Sequence, residues 1–374
     1  MYGYREIEDI ENFRTLVAQE NIIEHCAFQN IDFSLETVEC CFKDCLFFGC
    51  TVPDSMQHML SQECYQYPKI DKPYNIFPSH LYSAAELYAG YDPHNPSTYN
   101  NCYDCRIYNH YIAEGKRARD ISETFARAMH DHSISDALHD LLSHYNERQV
   151  VSVMGGHALL RTDTVYRKVV LIAKHLTSAG CIIVTGGGPG AMEAAHLGAW
   201  LAGYPDEVVD EALAMLATAP CYKDEGWLPT AFALMERYPS SSGYSSVGVP
   251  TWFYGHEPTT PFATHIAKYF DNSIREDGIL EIAKGGVIYS PGSAGTMQEI
   301  FQDAAQNHYQ TYGYASPMVF IGTEYWNETL PVYPLLSSLL EKGRYRNLLL
   351  SVTDSIDEAE RVILDFIKSG NGIY

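Results

Sequence analysis

Basic residues are scarce in this chain: 25 Lys and Arg stand against 47 Asp and Glu, for a formal charge of -22. No block of Lys or Arg occurs, so the basic stripe that tracks a nucleic-acid backbone is missing. A nucleic-acid partner is not expected. No apolar run approaches the roughly 20 residues that span a bilayer, so a membrane partner is not expected either. The start, Met1-Tyr2-Gly3-Tyr4-Arg5-Glu6, lacks a basic segment followed by an apolar one, which argues against secretion and for the cytoplasm. Two phosphate fingerprints are also absent, GxGxxG and GxxxxGK(S/T), so neither a dinucleotide nor ATP hydrolysis is favoured. The ten cysteines include Cys102-Tyr103-Asp104-Cys105, but no second CxxC follows at zinc-finger spacing. Most of them read as small buried hydrophobes, and no metal site is expected.

Hydrophobic residues make up 46% of 374, enough for a large core and an appended domain. Residues 22 to 50 carry a weak repeat of five: Phe28, Phe33 and Val38, then Phe42 and Phe47, with Cys40, Cys45 and Cys50 on the same step. Neither a helix nor a flat strand has that period. A squared β-coil with five residues per side does, and the stretch resembles the pentapeptide-repeat pattern, long enough for one or two coils. An irregular β cap on the main domain is the plainer reading. Residues 51 to 115 are dense in Tyr, Pro and Asn, which breaks helices and central strands yet supplies aromatic area that wants burial. Residues 120 to 145 show a helical apolar period through Ile121, Phe125, Met129, Leu138, Leu141 and Leu142.

From Val150 onward strand and helix patterns alternate, which implies right-handed crossovers and a parallel sheet covered on both faces. The expected fold is a doubly wound, Rossmann-like α/β domain with an N-terminal irregular or pentapeptide-like extension. The expected division is an extension over 1–115, a helical connector over 116–148 and a nucleotide-binding domain over 149–374.

Three strand ends in that domain carry glycine. They are Gly155-Gly156-His157, the run Gly186-Gly187-Gly188-Pro189-Gly190-Ala191-Met192-Glu193, and Pro291-Gly292-Ser293-Ala294-Gly295-Thr296-Met297-Gln298-Glu299. A strand, then glycines, then a helix lets backbone N–H groups and a helix N-terminus converge on an anion. Two such turns in one sheet can hold a phosphate and leave a nucleotide over the strand ends. Glu299, one turn into the second helix, suggests chemistry on that ligand. The aromatic loop Thr251-Trp252-Phe253-Tyr254-Gly255-His256-Glu257-Pro258 is a further candidate surface, with His256 or Glu257 placed to contact a ring edge. It is not a zinc-protease site, because no second histidine completes HExxH.

The paired segments GGGPGAMEAA and PGSAGTMQE resemble the LOG ("lonely guy") family of nucleoside 5′-monophosphate phosphoribohydrolases over roughly residues 148 to 370. Ser293 stands where the family motif PGGxGTxxE has its second glycine, and the first motif has the shorter bacterial form. The resemblance implies cleavage of the N-glycosidic bond of a nucleoside monophosphate to free base and ribose 5-phosphate, without a cofactor. It implies Glu299 as the catalytic carboxylate and Arg275, 24 positions earlier, as its partner. It implies phosphate and nucleotide contacts from Gly186, Gly187, Gly188, Gly190, Met192, Glu193, Gly292, Ser293, Ala294, Gly295 and Thr296; Gly155, His157 and His256 are candidate contacts by their own placement after strands, with a plain turn residue as the other reading of His157. A homodimer with sites near its interface is also implied. A carboxylate below the sugar carbon would stabilise the developing positive charge there. Two alternatives accompany this reading. One is a non-catalytic nucleotide sensor reporting through the N-terminal region; the other is cleavage of a different N-glycoside such as NAD.

Overall fold

The computed structural model describes residues 3–241, 243–255 and 257–369. The chain divides into two compact units. One is Met1–Leu81 with Asn109–Asp140; the other is Tyr82–Tyr108 with Leu141–Tyr374.

In the first unit the five-residue period becomes a coil. Strands β1 (Arg5–Ile7), β3 (Cys26–Gln29), β5 (Leu46–Phe48) and β6 (Tyr65–Tyr67) form one parallel ladder, and β2 (Ile22–Glu24) pairs with β4 (Cys41–Lys43) in another. Register partners such as Ala27 and Leu46, Leu46 and Tyr65, and Ile22 and Cys41 repeat one rung later. Corners take left-handed backbone at His25, Asn30, Asp44 and Gly49, one rung apart in pairs. Phe28, Phe33, Phe42 and Phe47 point inward and are buried; Phe28 stacks on Phe47 at 4.9 Å. The helix Ile10–Gln19, capped by Asp9, adds Phe13 to the same core. The helix Ile121–Ser143 brings a buried carboxylate, Glu123, to Lys72, Arg127 and His110 at 2.8, 2.8 and 3.1 Å.

The second unit is a doubly wound α/β fold. Its parallel sheet runs β10 (His265–Ile266), β9 (Ser246–Gly248), β8 (Ile182–Thr185), β7 (Val150–Met154), β11 (Gly286–Tyr289), β12 (Pro317–Ile321), β13 (Leu349–Thr353). Every neighbouring pair is parallel, and all residues of β7, β8, β9, β11 and β12 are buried. The apolar sequences of these strands follow from helices covering both faces. The chain begins at β7, steps out to β10, then returns across β7 to β11 and steps out the other way. The order therefore reverses between β7 and β11, and such a switch point opens a crevice at the carboxyl ends.

Close helix packing sets the crevice. The helix Ala191–Trp200 is buried along almost its whole length, and its Gly198 lies so close to Val170 O of the helix Thr164–Ser178 that no Cβ fits. The tyrosine-rich stretch 82–108 is ordered against this sheet rather than loose. Tyr82 exchanges backbone hydrogen bonds with Ile266 on the edge strand. Buried Asp104 accepts from Lys268 Nζ and Trp252 Nε1, each at 2.8 Å. No helix among the described residues is long and apolar enough to cross a membrane.

Candidate functional site

The three glycine turns follow β7, β8 and β11, which are adjacent, so the sheet itself brings them together. The turn after β7 touches both others: Gly156 N donates to Pro291 O at 3.0 Å, and Gly156 O accepts from Ala191 N at 3.2 Å. Side chains are excluded here by contact. A Cβ at Gly155 would overlap the Ser290 hydroxyl, and one at Gly190, which has φ +71°, would overlap Gly156 O. A Cβ at Gly292 would overlap Thr296 Oγ1. Glycine at these positions lets the three turns pack directly on one another.

The second turn leads into the helix Ala294–Tyr309. Ser293, Ala294 and Gly295 are exposed and the Ser293 side chain does not cap the first N–H groups, while Thr296 is buried. Tyr325, from a π-helical turn after β12, fixes this loop by donating its hydroxyl to Gly292 O at 2.7 Å. Ser290, at the end of β11, is fully buried, and its hydroxyl has no partner among the described residues.

Arg275 reaches the first turn from the helix Asn272–Ile282, whose start is capped by Asp271 accepting from Ser273 N. Its Nε donates to Val249 O at 2.9 Å, and its guanidinium lies directly over Gly186, where a Cβ would overlap it. No carboxylate among the described residues lies within ion-pair distance of it. Its charge is nevertheless felt by Glu299. Burial pushes the Glu299 carboxyl up to about 7, Arg275 opposes that rise and Glu276 adds to it. Asp303, one turn further along, is also pushed up to about 7 by burial, against the pull of the Tyr289 hydroxyl donating at 2.7 Å.

The other expected residues fall in different places. Glu193 does not face the crevice: it is buried and its carboxylate receives Arg161 Nε at 3.2 Å on both oxygens. Met192 packs its sulfur and methyl under Gly186 and Gly188. His157 is exposed, with Nδ1 3.5 Å from Glu257 Oε1 and its ring 5.9 Å from that of Tyr222. Gly187 turns with φ +70°, its N–H held by Thr185 Oγ1 at 2.9 Å. His256 lies outside the described residues. Trp252 is packed in the core against Phe270 rather than offered to a ligand.

Several contributors were not read from the sequence. Arg161, Tyr325 and Ser290 act across long separations that no local motif announces. The same holds for His196, whose buried ring bridges Thr185 and Ser246 at 2.8 and 2.9 Å and is held neutral by burial, its pKa lowered to about 3. In the first unit Glu6, Asp136 and Asp140 form a group of carboxylates near enough to share a cation, the one such group among the described residues.

No protein-family model matches the sequence, and no curated protein matches it. Solved structures do. The chain is similar to the Moco carrier protein of Chlamydomonas rheinhardtii at 16% identity, over 59% of this chain and 97% of that one, with a TM-score of 0.36. It is also similar to the molybdenum cofactor binding protein of Rippkaea orientalis at 14% identity, over 59% of this chain and 94% of that one, with a TM-score of 0.35. These findings correct the expected kinship. Both are named for molybdenum cofactor and neither for a phosphoribohydrolase, and nothing among families or curated proteins supports the LOG family. The hydrolase and nucleosidase reading is withdrawn with it, as is the nucleotide-sensor alternative. Turns of glycine at strand ends are demanded by any crevice that admits an anion to backbone, so the paired motifs do not single out one chemistry.

Proposed function

We propose that the second unit binds a small phosphorylated organic anion, non-covalently, in the crevice above β7, β8 and β11. The observation that carries this is the guanidinium of Arg275 laid over Gly186, beside an uncapped helix start on the neighbouring turn. A guanidinium with no carboxylate at ion-pair distance among the described residues, beside helix N–H groups that Ser293 leaves uncapped, favours an oxyanion. Glu299 completes the logic. With its carboxyl lifted to about 7 it is protonated in mildly acidic to neutral solution, so it can donate to an oxyanion instead of repelling it. The buried Ser290 hydroxyl, without a partner among the described residues, is a further polar group beside the same turns. No bond cleavage is part of this reading. The cytoplasm is its setting, where cysteines such as Cys102 and Cys105 stay reduced.

The test is calorimetric titration of the full chain with inorganic phosphate and, separately, with molybdenum cofactor, the ligand for which the Rippkaea orientalis protein is named. Arg275→Gln should weaken phosphate about 10- to 100-fold, the worth of one charge-assisted hydrogen bond. Saturable binding that is lost in this variant supports the proposal. Absence of saturable phosphate binding, or equal affinity in the variant, overturns it. Competition between phosphate and molybdenum cofactor would name the cofactor as a ligand of this site.

A further inference from the structure

Beside the crevice the second unit holds a cavity of about 530 Å³, within the range of small-molecule sites. Tyr91, Tyr99, Tyr222 and Trp227 line it, with Glu225 and Gly255. Its wall adjoins the first glycine turn. Glu257, next to the cavity-lining Pro258, approaches within 3.5 Å of the position a Cβ would take at Gly188. Across the gap, His157 pairs with Glu257 and meets the Tyr222 ring edge-on.

The cavity and the turn share one support. Arg161 pairs with Glu193, in the helix that leaves the glycine turn, and donates to Trp227 O at 3.1 Å while lying 4.9 Å from the Trp227 ring centre. Tyr91 and Tyr99 face each other edge to face at 6.2 Å, and burial pushes both hydroxyls above their usual range, to about 12 for Tyr91. They therefore stay protonated at working pH and can donate. Glu225 is exposed at the wall and can only accept while ionised. Aromatic walls suit a flat ring, and a carboxylate at the edge suits N–H groups on that ring.

We infer that this cavity receives the organic part of the ligand, a planar heteroaromatic ring with N–H donors on its edge. The inference rests on the phosphate reading above, and its test separates the two. The full chain is titrated with inorganic phosphate, riboflavin and riboflavin 5′-phosphate, the last a flat N–H-bearing ring on a flexible arm that ends in phosphate. Flavin fluorescence reports stacking on the aromatic walls.

Riboflavin 5′-phosphate should bind about tenfold or more tighter than inorganic phosphate, with its fluorescence quenched. Tyr222→Ala should bring the ratio of the two affinities close to one, and Tyr222→Phe should restore it. Phosphate that binds while the flavin phosphate gains nothing over it sinks the ring assignment alone. A gain that survives Tyr222→Ala sinks it too. Failure of phosphate itself sinks the reading on which the assignment stands.

Discussion

Removing the carboxylate of Glu193 should be among the most damaging single changes in the second unit. Arg161 and Glu193 side chains are each 1% exposed. Arg161 gives Nε to both Glu193 oxygens, Nη1 to Ala219 O and Thr230 Oγ1, and Nη2 to Trp227 O and Glu193. Glu193→Leu leaves a guanidinium in the core with neutral acceptors only. Breaking a buried pair from one side costs about 3–5 kcal/mol, because the remaining charge has lost its solvent and its partner. At about 2–4 °C per kcal/mol for a unit of this size, the melting temperature should fall by roughly 10 °C. The double variant Glu193→Leu with Arg161→Met removes both charges and should recover much of the loss, since a matched apolar pair is often neutral. Urea denaturation of the four proteins gives the coupling energy. A single-variant cost below about 1 kcal/mol, or strict additivity of the two changes, would refute this reasoning.

Glu299 and Asp303 are both raised above their unfolded values, so they favour the fold at low pH and that favour is lost as pH rises through about 7. Glu299→Gln should therefore gain stability relative to the parent, by a few kcal/mol at most, between about pH 5 and 8 in denaturant midpoints; an unchanged slope of stability against pH speaks against it. Sulfate keeps its charge over that range, so its affinity should fall above pH 7 in the parent and stay level in Glu299→Gln. His196 has the opposite sign: its folded pKa is depressed to about 3, so stability is lost as pH falls from about 6.5 toward 3, and His196→Gln should blunt that acid transition in circular dichroism. Gly190→Ala should destabilise by more than about 1 kcal/mol, because the backbone there is left-handed and Gly156 O occupies the Cβ position; a neutral melting curve would contradict the packing of the two turns.

Much of the second unit was legible because its elements follow local rules. Thr164–Ser178 carries the apolar face of a helix, Pro317–Ile321 is the apolar run of a buried strand, and Val150–Met154 ends at the glycines that break it. The period of five in the first unit also proved structural, since inward phenylalanines one rung apart have to stack. The two-residue strand His265–Ile266 was not legible, because its pairing to Val247 and Gly248 depends on neighbours rather than on its own pattern. The helix Asn272–Ile282 has a weak apolar face and hides behind charge. Within residues 51 to 115 the aromatic density predicts burial, but the Asp104 contact with Lys268 spans a separation that no spacing rule encodes. The site shows the same split. Glycines at strand ends mark the crevice from sequence alone, whereas the use of Glu193 as a partner for Arg161 appears only in three dimensions. The family kinship rested on those glycines, which report backbone geometry and not a reaction.

The most direct measurement is a crystal of the full chain soaked in tungstate, an electron-dense oxyanion that stands in for phosphate. A single dominant peak within hydrogen-bonding distance of the Arg275 guanidinium and the backbone N–H groups of Gly295 and Thr296 is the expected result. A crevice without such a peak, or an oxyanion bound only elsewhere on the surface, would contradict an anion site at the switch point.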